Sequence, residues 1–577
     1  MDYRKNFESW LNDECFDEAT KAELRALEEA GSEEEIRDRF YTDLEFGTAG
    51  LRGVIGAGLN RMNIYTVRRA TQGLADYINS LGRGSMGVAI AFDSRHMSPE
   101  FAECAALCLA ANGIKAYLFE SLRPTPELSF AVRYLKCTAG INITASHNPS
   151  EYNGYKVYWE DGAQITPPHD TGITEKVLSI TDFSSLKTMD RKAAEDAGLL
   201  EVIGKEVDDA YIAVVKQQVK EPEAIQKEGA NLKIVYTPLN GTGNKPVRRV
   251  LSELGFSQVY VVPEQENPDG DFPTIPYPNP EDPRAYALAL KLAKEIDADL
   301  ILATDPDADR LGVYVKDAKS GEFIPLTGNM SGALLAEYTV ARVKENTGLP
   351  EDGAIVKSIV SSNLADAIAK YYGLELIKTL TGFKYIGLEI LKMEESGKGT
   401  YLFGFEESYG CLIGTYARDK DAVVATMALC EAAAFYRSQG KTLWDAMLEL
   451  YERYGYFAEK VSSVTLKGME GLQKIGEIMA HLRENPVTEV GGKKVEKVRD
   501  YKEGTITDLK TGEVTPTGLP SSNVLYYDFP GGEWLCVRPS GTEPKIKLYF
   551  GVSASSLEGA EQEAEVFEKE ALKLLEI

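Results

Sequence analysis

One pattern recurs three times along the chain and narrows the possible folds more than any other feature. Each copy reads strand, helix, strand, helix, strand, as short β-rich apolar runs separated by longer amphipathic ones. The first copy runs from MGVAIAFDSR (86–95) through PEFAECAALCLAANG and IKAYLF to GINITASHNPS (140–150). The second runs from NLKIVYTPLNG (231–241) through VRRVLSELG, SQVYVVP and ALALKLAKEI to ADLILATDPDADR (298–310). The third runs from GAIVKSIVSS (353–362) through LADAIAKYYG, LELIKTL and FKYIGLEILKMEES to GTYLFGFEESYG (399–410). Such units build mostly parallel sheets covered by helices on both faces. Each copy ends alike, on a buried strand that gives way to a polar loop, and ligand loops in α/β folds lie at the carboxyl ends of strands. The fold class expected is therefore α/β, with three related domains whose sheets are mixed and mostly parallel.

The chain beyond the third copy has a different character. VSSVTLKG (461–468), GLQKIGEIMAHLREN, a Gly/Lys/Thr-rich hairpin region (491–520), NVLYYDF, EWLCVRPSGTEPKIKLYFGV and a helix from about Ser556 read as a C-terminal α+β domain. YERYGYFAEK (451–460) is the expected hinge before it, and residues 1–45 read as charged, helical and peripheral. The domains expected are 1–205, with a serine loop; 206–318, with an acidic loop; 319–450, with a Glu/Ser loop; and 451–577, with a basic loop.

Composition removes whole classes of function. Lys plus Arg number 63 against 89 Asp plus Glu, a net charge of −26, which repels nucleic acid and anionic lipid. An anionic small molecule would need a locally basic pocket. No run of about 18 apolar residues occurs, so no membrane span is expected. The N-terminal stretch lacks an apolar core and reads as neither signal nor transit peptide. Seven cysteines without a C-x-x-C pair suggest reduced thiols in a cytoplasmic protein.

Four loops carry chemistry. In TDPDADR, Asp305, Asp307 and Asp309 alternate directly after a buried strand. Carboxylates this close repel one another unless a cation lies between them, and hard oxygen ligands select Mg²⁺, Ca²⁺ or Mn²⁺. An EF-hand is excluded, because Arg310 and Lys316 stand where its Gly and Glu belong. In TASHNP, Ser146 is a candidate nucleophile and His147 its acid or base, although adjacent side chains often point apart and the turn alone is ordinary. In GFEESYG, Glu406 and Ser408 alternate and suit sugar hydroxyls, or else a solvated loop. In RPSGTEPKIK, Arg538, Ser540, Gly541 and Thr542 gather a guanidinium, hydroxyls and free backbone N–H groups around one turn, as a phosphate requires. FGTAGLRG (Arg52) and TGFKYIG (Thr381, Gly382, Lys384) are weaker signals, and NGTGNKP fails the phosphate-loop pattern of nucleotide sites.

Together these segments resemble the α-D-phosphohexomutase superfamily, and HNPSEYNGYKVYWEDGAQITPPHD (147–170) looks like its long phosphoglucomutase/phosphopentomutase branch. The resemblance implies four domains around a central cleft and a phosphorylated Ser146. It implies that this phosphate and Asp305, Asp307 and Asp309 hold one Mg²⁺, and that Arg310 helps to bind the phosphoserine. Arg52 and Lys156 would lie near the phosphoserine, while Lys384 approaches the substrate. Thr381, Gly382, Glu406 and Ser408 would read the sugar; Arg538, Ser540, Gly541 and Thr542 would hold the non-reacting phosphate. The activity implied is a Mg²⁺-dependent interconversion of glucose 1-phosphate and glucose 6-phosphate through glucose 1,6-bisphosphate. His147, Lys156 and Lys384 are the candidate acid/bases. Small sugar phosphates would be its partners, with no nucleic acid and no membrane, and its oligomeric state open. Phosphopentomutase, phosphomannomutase, a bisphosphate synthase, a phosphatase and a non-catalytic sensor are the alternatives. The dual-specificity mannose reading is weakened because Ser408 is followed by Tyr409, Gly410 and Cys411, where bacterial phosphomannomutase/phosphoglucomutases often carry E-x-S-G-H.

Overall fold

A computed structural model describes residues 2–47, 50–466, 468–540 and 545–575. The chain forms two compact bodies. The first holds the residues up to Pro325 with Gly387–Ser396 and Tyr409–Gly440; the second holds Leu326–Ile386, Gly397–Ser408 and the residues from Lys441 onward. Among the described residues no helix is long and apolar enough to cross a membrane.

The first body opens with three helices, α1 (Tyr3–Asn12), α2 (Glu18–Glu29) and α3 (Glu33–Phe40). Asp2 and Asp17 cap α1 and α2 by accepting from backbone N–H groups that the first turn leaves unpaired. The segment is charged and helical, as expected, but it is not peripheral. Phe7, Trp10, Phe16, Leu24, Ile36 and Phe40 form a buried cluster that includes Tyr65, and Trp10 stacks on Phe16 at 4.1 Å. Arg39 donates to the Ala57 carbonyl at 3.0 Å, and Glu23 accepts from the Ala57 N–H at 3.2 Å.

Next come β1 (Gly50–Val54), α4 (Ile64–Ser80), β2 (Val88–Phe92), α5 (Ser98–Ala111), β3 (Ala116–Phe119), α6 (Thr125–Tyr134), β4 (Ala139–Ile143), β5 (Tyr152–Trp159) and β6 (Leu200–Ile203). Every residue of β2 and β4 is buried, as in strands covered on both faces. The sheet order is β1-β5-β4-β2-β3-β6, with β2, β3, β4 and β6 parallel, β5 antiparallel to β4, and β1 antiparallel to β5. The second sheet takes β7 (Lys233–Thr237), β8 (Gln258–Val261), β9 (Leu300–Thr304), β10 (Leu311–Lys316) and β11 (Phe323–Leu326) in the order β11-β10-β9-β7-β8. Its last parallel strand is again followed by an antiparallel one, β10 on β9.

In the second body β12 (Gly353–Ser358) lies between β13 (Glu375–Thr379) and β14 (Thr400–Glu406), both parallel to it. In all three copies the first strand of the repeat sits between the second and the third. The expected triplication is thus one of topology. β15 (Gly410–Ile413) comes after the third copy. Residues 451–460, expected as a hinge, hold the end of the helix Leu443–Tyr454 and the start of β16 (Tyr456–Thr465). They are structured because β16 pairs along its whole length with a strand near the C-terminus. After the two-stranded hairpin β17 (Glu489–Val490) and β18 (Lys493–Lys494) come β19 (Lys497–Asp500), β20 (Thr505–Asp508), β21 (Val514–Pro516), β22 (Leu525–Asp528), β23 (Trp534–Pro539) and β24 (Lys545–Ala554). The seven-stranded sheet has the order β16-β24-β23-β22-β19-β20-β21. Ile359, Val360 and Leu380 pack with Tyr501, Tyr526, Trp534 and Tyr549 of this sheet.

Gly154 lies mid-strand on β5, between β1 and β4. A Cβ there would stand 2.4 Å from the Thr144 carbonyl oxygen and 3.0 Å from that of Leu51. Gly154→Ala should therefore push the strands apart and destabilise the first body by about 1–3 kcal/mol. Thermal unfolding checks this, and an unchanged midpoint would mean the sheet can spread freely.

Candidate active site

The serine loop is the outlet of β4. Ser146 is 3% exposed and takes φ +54°, a conformation L-residues seldom adopt. Thr144 Oγ1 holds its N–H at 2.8 Å. The turn brings Ser146 and His147 to one point: Ser146 Oγ lies 2.9 Å from Asp305 Oδ2 and 3.1 Å from His147 Nδ1. Burial, followed by the charges of Arg310 and Arg52, holds the His147 pKa well below the usual imidazole value, so the ring is neutral near pH 7.

The loop is gripped from beneath by Arg95, which sequence reasoning missed. Its Nη1 donates to the carbonyls of Pro149 (2.7 Å) and Tyr152 (3.0 Å), and its Nη2 to those of Ser146 (2.6 Å) and Asn148. Its Nε lies 3.3 Å from Asp93 Oδ2, both side chains fully buried, and the Phe272 ring lies 5.0 Å away. The signal stood in MGVAIAFDSR: an acid and a base leave a buried strand that pairs directly with β4.

The acidic loop is the outlet of β9. Ligand oxygens of Asp305, Asp307 and Asp309 lie within 4.8 Å of one another, and all three residues are buried. Asp305 Oδ1 accepts from the Asp309 and Arg310 N–H groups at 3.1 and 3.0 Å. Asp307 Oδ2 accepts from Thr125 Oγ1 and Lys156 Nζ, both at 2.8 Å. Asp309 Oδ2 faces Lys420 Nζ at 3.0 Å. Burial and the charges of Asp307 and Asp309 raise the Asp305 pKa well above the carboxylate range, and burial with Asp307 raises Asp309. At Asp307 burial also pushes upward, but Lys156 outweighs it and holds the carboxyl far below the ordinary value. Asp307 Oδ1 and Asp309 Oδ1 are buried with no hydrogen-bond partner among the described residues. Clustered carboxylates with orphaned buried oxygens fit a hard divalent cation.

Sequence reasoning also missed Thr125, Asn142 and Lys420. Asn142 Nδ2 donates to Thr125 Oγ1 at 2.7 Å, which directs that hydroxyl proton at Asp307. Lys420 also reaches Asp419 Oδ1 at 3.0 Å, and Tyr158 O–H donates to Asp419 Oδ2 at 2.8 Å. The alternating RDKD of residues 418–421 was the available clue. Two lysines from different strands and loops thus bracket the triad. Arg52 lies on β1, where its Nη1 donates to Asn148 Oδ1 at 3.3 Å. Arg310 Nη1 donates to Glu281 Oε1 at 2.6 Å.

The structure therefore brings together Ser146, His147, Lys156, Asp305, Asp307, Asp309, Arg310 and Arg52 in the first body. The remaining candidates with described positions lie in the second. Glu406 ends β14 buried, its Oε1 accepting from Gly382 N–H at 2.6 Å, and Gly382 takes φ +115°, which a side chain would strain. Thr381 and Ser408 are half-buried. Lys384 Nζ sits 5.4 Å from the Tyr385 ring centroid. Glu407 Oε2 accepts from Ser358 Oγ at 2.9 Å. Arg538 lies on β23, opposite Lys547 of β24, and the Ser540 N–H donates to the Lys545 carbonyl at 2.7 Å. Gly541 and Thr542 lie outside the described residues.

Four successive segments match models of phosphoglucomutase/phosphomannomutase domains: alpha/beta/alpha domain I over residues 43–183, domain II over 209–321, domain III over 327–454 and the C-terminal domain over 485–569. A phosphoglucomutase of Staphylococcus epidermidis is 41% identical over 526 residues, 90% of this chain and 92% of that protein. One of Staphylococcus aureus is 38% identical over 534 residues, 92% and 94% of the two chains. The open form of the Paramecium phosphoglucomutase pp63/parafusin superposes with a TM-score of 0.68 at 18% identity, over 93% of this chain and 95% of that one, a likeness of fold.

Arg95 is a buried ion whose loss strands Asp93 and the carbonyls of Ser146, Asn148 and Tyr152, while that of Pro149 keeps the Tyr152 N–H. Arg95→Met should cost about 3–5 kcal/mol in denaturant unfolding. The double variant Asp93→Asn/Arg95→Met should recover part of that loss, because it removes the uncompensated carboxylate.

Proposed function

Because the chain belongs to the phosphoglucomutase/phosphomannomutase family, we propose that it interconverts glucose 1-phosphate and glucose 6-phosphate, with Ser146 carrying the phosphoryl group and glucose 1,6-bisphosphate as intermediate. One observation carries the reading: Ser146 Oγ, 2.9 Å from Asp305, faces a buried acidic triad bracketed by Lys156 and Lys420. Relatives named phosphoglucomutase, 38–41% identical across nine-tenths of the chain, favour glucose over the pentose and mannose readings.

Asp305, Asp307 and Asp309, with Ser146, would hold Mg²⁺, which when bound draws charge from the phosphoryl group and makes it easier to transfer. The chain's own groups do the rest. Arg95 fixes the loop backbone, so Ser146 Oγ has one direction in which to give or receive a phosphoryl group, as in-line transfer requires. The burial of Ser146 keeps water from a phosphoserine that would otherwise hydrolyse. Lys156 and Arg310 place positive charge around the transferring oxygens. The sugar hydroxyl must lose a proton as it attacks, and of the three candidate bases His147 suits best. Its Nδ1 faces Ser146 Oγ at 3.1 Å, and burial keeps the ring in the neutral form, with a nitrogen lone pair to take the proton. Thr381, Gly382, Glu406 and Ser408 take the sugar-reading role the resemblance implies. Arg538, Ser540, Gly541 and Thr542 take that of the phosphate clamp, where binding away from the reacting atom holds it in line.

The test is ³¹P NMR of the protein with Mg²⁺, trace glucose 1,6-bisphosphate and equal glucose, mannose and ribose 1-phosphates. The glucose ester should convert fastest, and preferred turnover of another ester would transfer the assignment to that sugar. Ser146→Ala should reduce conversion to background; a variant with full rate would remove Ser146 as the carrier. Asp307→Asn should raise the Mg²⁺ concentration needed for half-maximal rate about tenfold or more, and an unchanged metal titration would sink the cation assignment.

A further inference from the structure

Glu281 lies outside the four loops singled out in the sequence, yet its carboxylate sits on the guanidinium that borders the serine site. Arg310 Nη1 donates to Glu281 Oε1 at 2.6 Å, and Arg310 Nε lies 3.7 Å from Asp309 Oδ1. On its triad side the arginine therefore meets the acidic cluster, and its other edge is capped by an anion from an irregular loop of the same body.

That loop is anchored around Glu281 but not at it. Phe272 is 1% exposed and lies against Arg95. The Pro280 carbonyl accepts from Tyr286 O–H at 2.9 Å, the Glu281 N–H donates to Asn279 Oδ1 at 3.0 Å, and the Asp282 N–H donates to the Asn279 carbonyl at 2.9 Å. The backbone at Glu281 is pinned on both sides, while its side chain is 36% exposed and can turn away into water without moving the chain. A carboxylate and a phosphoryl group compete for the same fork of N–H donors.

We propose that Glu281 is a resident counter-ion for Arg310, displaced whenever a phosphoryl group occupies the serine site. This rests on the reading of Ser146 as phosphoryl carrier. In the empty, dephosphorylated site Glu281 neutralises Arg310. When Ser146 is phosphorylated, or a sugar bisphosphate lies beside it, the guanidinium passes to the phosphate and Glu281 swings into solvent. Glu281 thereby lowers the affinity of the dephosphorylated protein for its own intermediate. It sets how much bisphosphate is needed to keep the protein charged with phosphate.

The experiment compares wild type, Glu281→Gln and Glu281→Asp, each dephosphorylated and checked for an unchanged thermal midpoint. Calorimetric titrations use glucose 1,6-bisphosphate and, separately, inorganic phosphate. Glu281→Gln should bind both anions about two- to fivefold more tightly, the weight of a partly exposed ion pair, and the half-activating bisphosphate concentration should fall by the same factor. Glu281→Asp, which keeps the charge, should stay closer to wild type. A residue that only orients Arg310 would move the other way, so unchanged or weaker binding by Glu281→Gln overturns the proposal. Should wild type show no mutase turnover, the phosphoryl-carrier reading falls on its own, while the phosphate titration still decides whether Glu281 competes for Arg310.

Discussion

Asp305, Asp307 and Asp309 place three carboxylates within 4.8 Å in an interior where charge is costly, and much of the first body is arranged around making that tolerable. Lys156 comes from β5 and Lys420 from the segment after β15, while Thr125 heads α6. Asp305 is further tied by backbone N–H groups of its own loop. The first and second sheets are thereby joined by an ionic contact: the acid side arrives after β9, and Lys156 reaches it from β5 of the first sheet. What these partners leave over, two orphaned oxygens and two carboxyls with raised pKa values, is the demand that a divalent cation would meet.

The serine loop shows the complementary arrangement. Its turn puts backbone carbonyls where no strand or helix can satisfy them, and Arg95 supplies the donors in one rigid fork. A lysine with a flexible stem and a point charge could not match that geometry. The strained φ of Ser146 is held by this grip and by Thr144.

Much of this was legible in the sequence because it is local. The three strand–helix–strand copies appear as periodicity, and the polar loops that end them, TASHNP, DPDADR and EES, stand out against buried strands. Arg95, Thr125, Asn142 and Lys420 were not legible, because their importance comes from which strand lies beside which. Arg95 matters only once β2 pairs with β4, and Lys420 only once the RDKD segment folds back to Asp309. The N-terminal helices were under-read for a related reason: their aromatic residues, Phe7, Trp10 and Phe16 near the start and Phe40 on the third helix, meet only when three helices pack. The regular structure of 451–460 was not legible because a Gly and several tyrosines can open a ten-residue strand whose partner lies about ninety residues further on.

The pairing of β1 with β5 has a consequence for how the protein emerges from a ribosome. Arg52 sits opposite Gly154, so β1 must wait for about a hundred further residues before its partner exists, roughly 5–20 s at ordinary elongation rates. Over that interval the strand would offer an unpaired edge to any neighbouring nascent chain. The helices made just before it already hold Ala57 through Glu23 and Arg39. In the sense of vectorial synthesis they act as a temporary bookend, restraining one end of a lone strand until the sheet that will receive it has been translated.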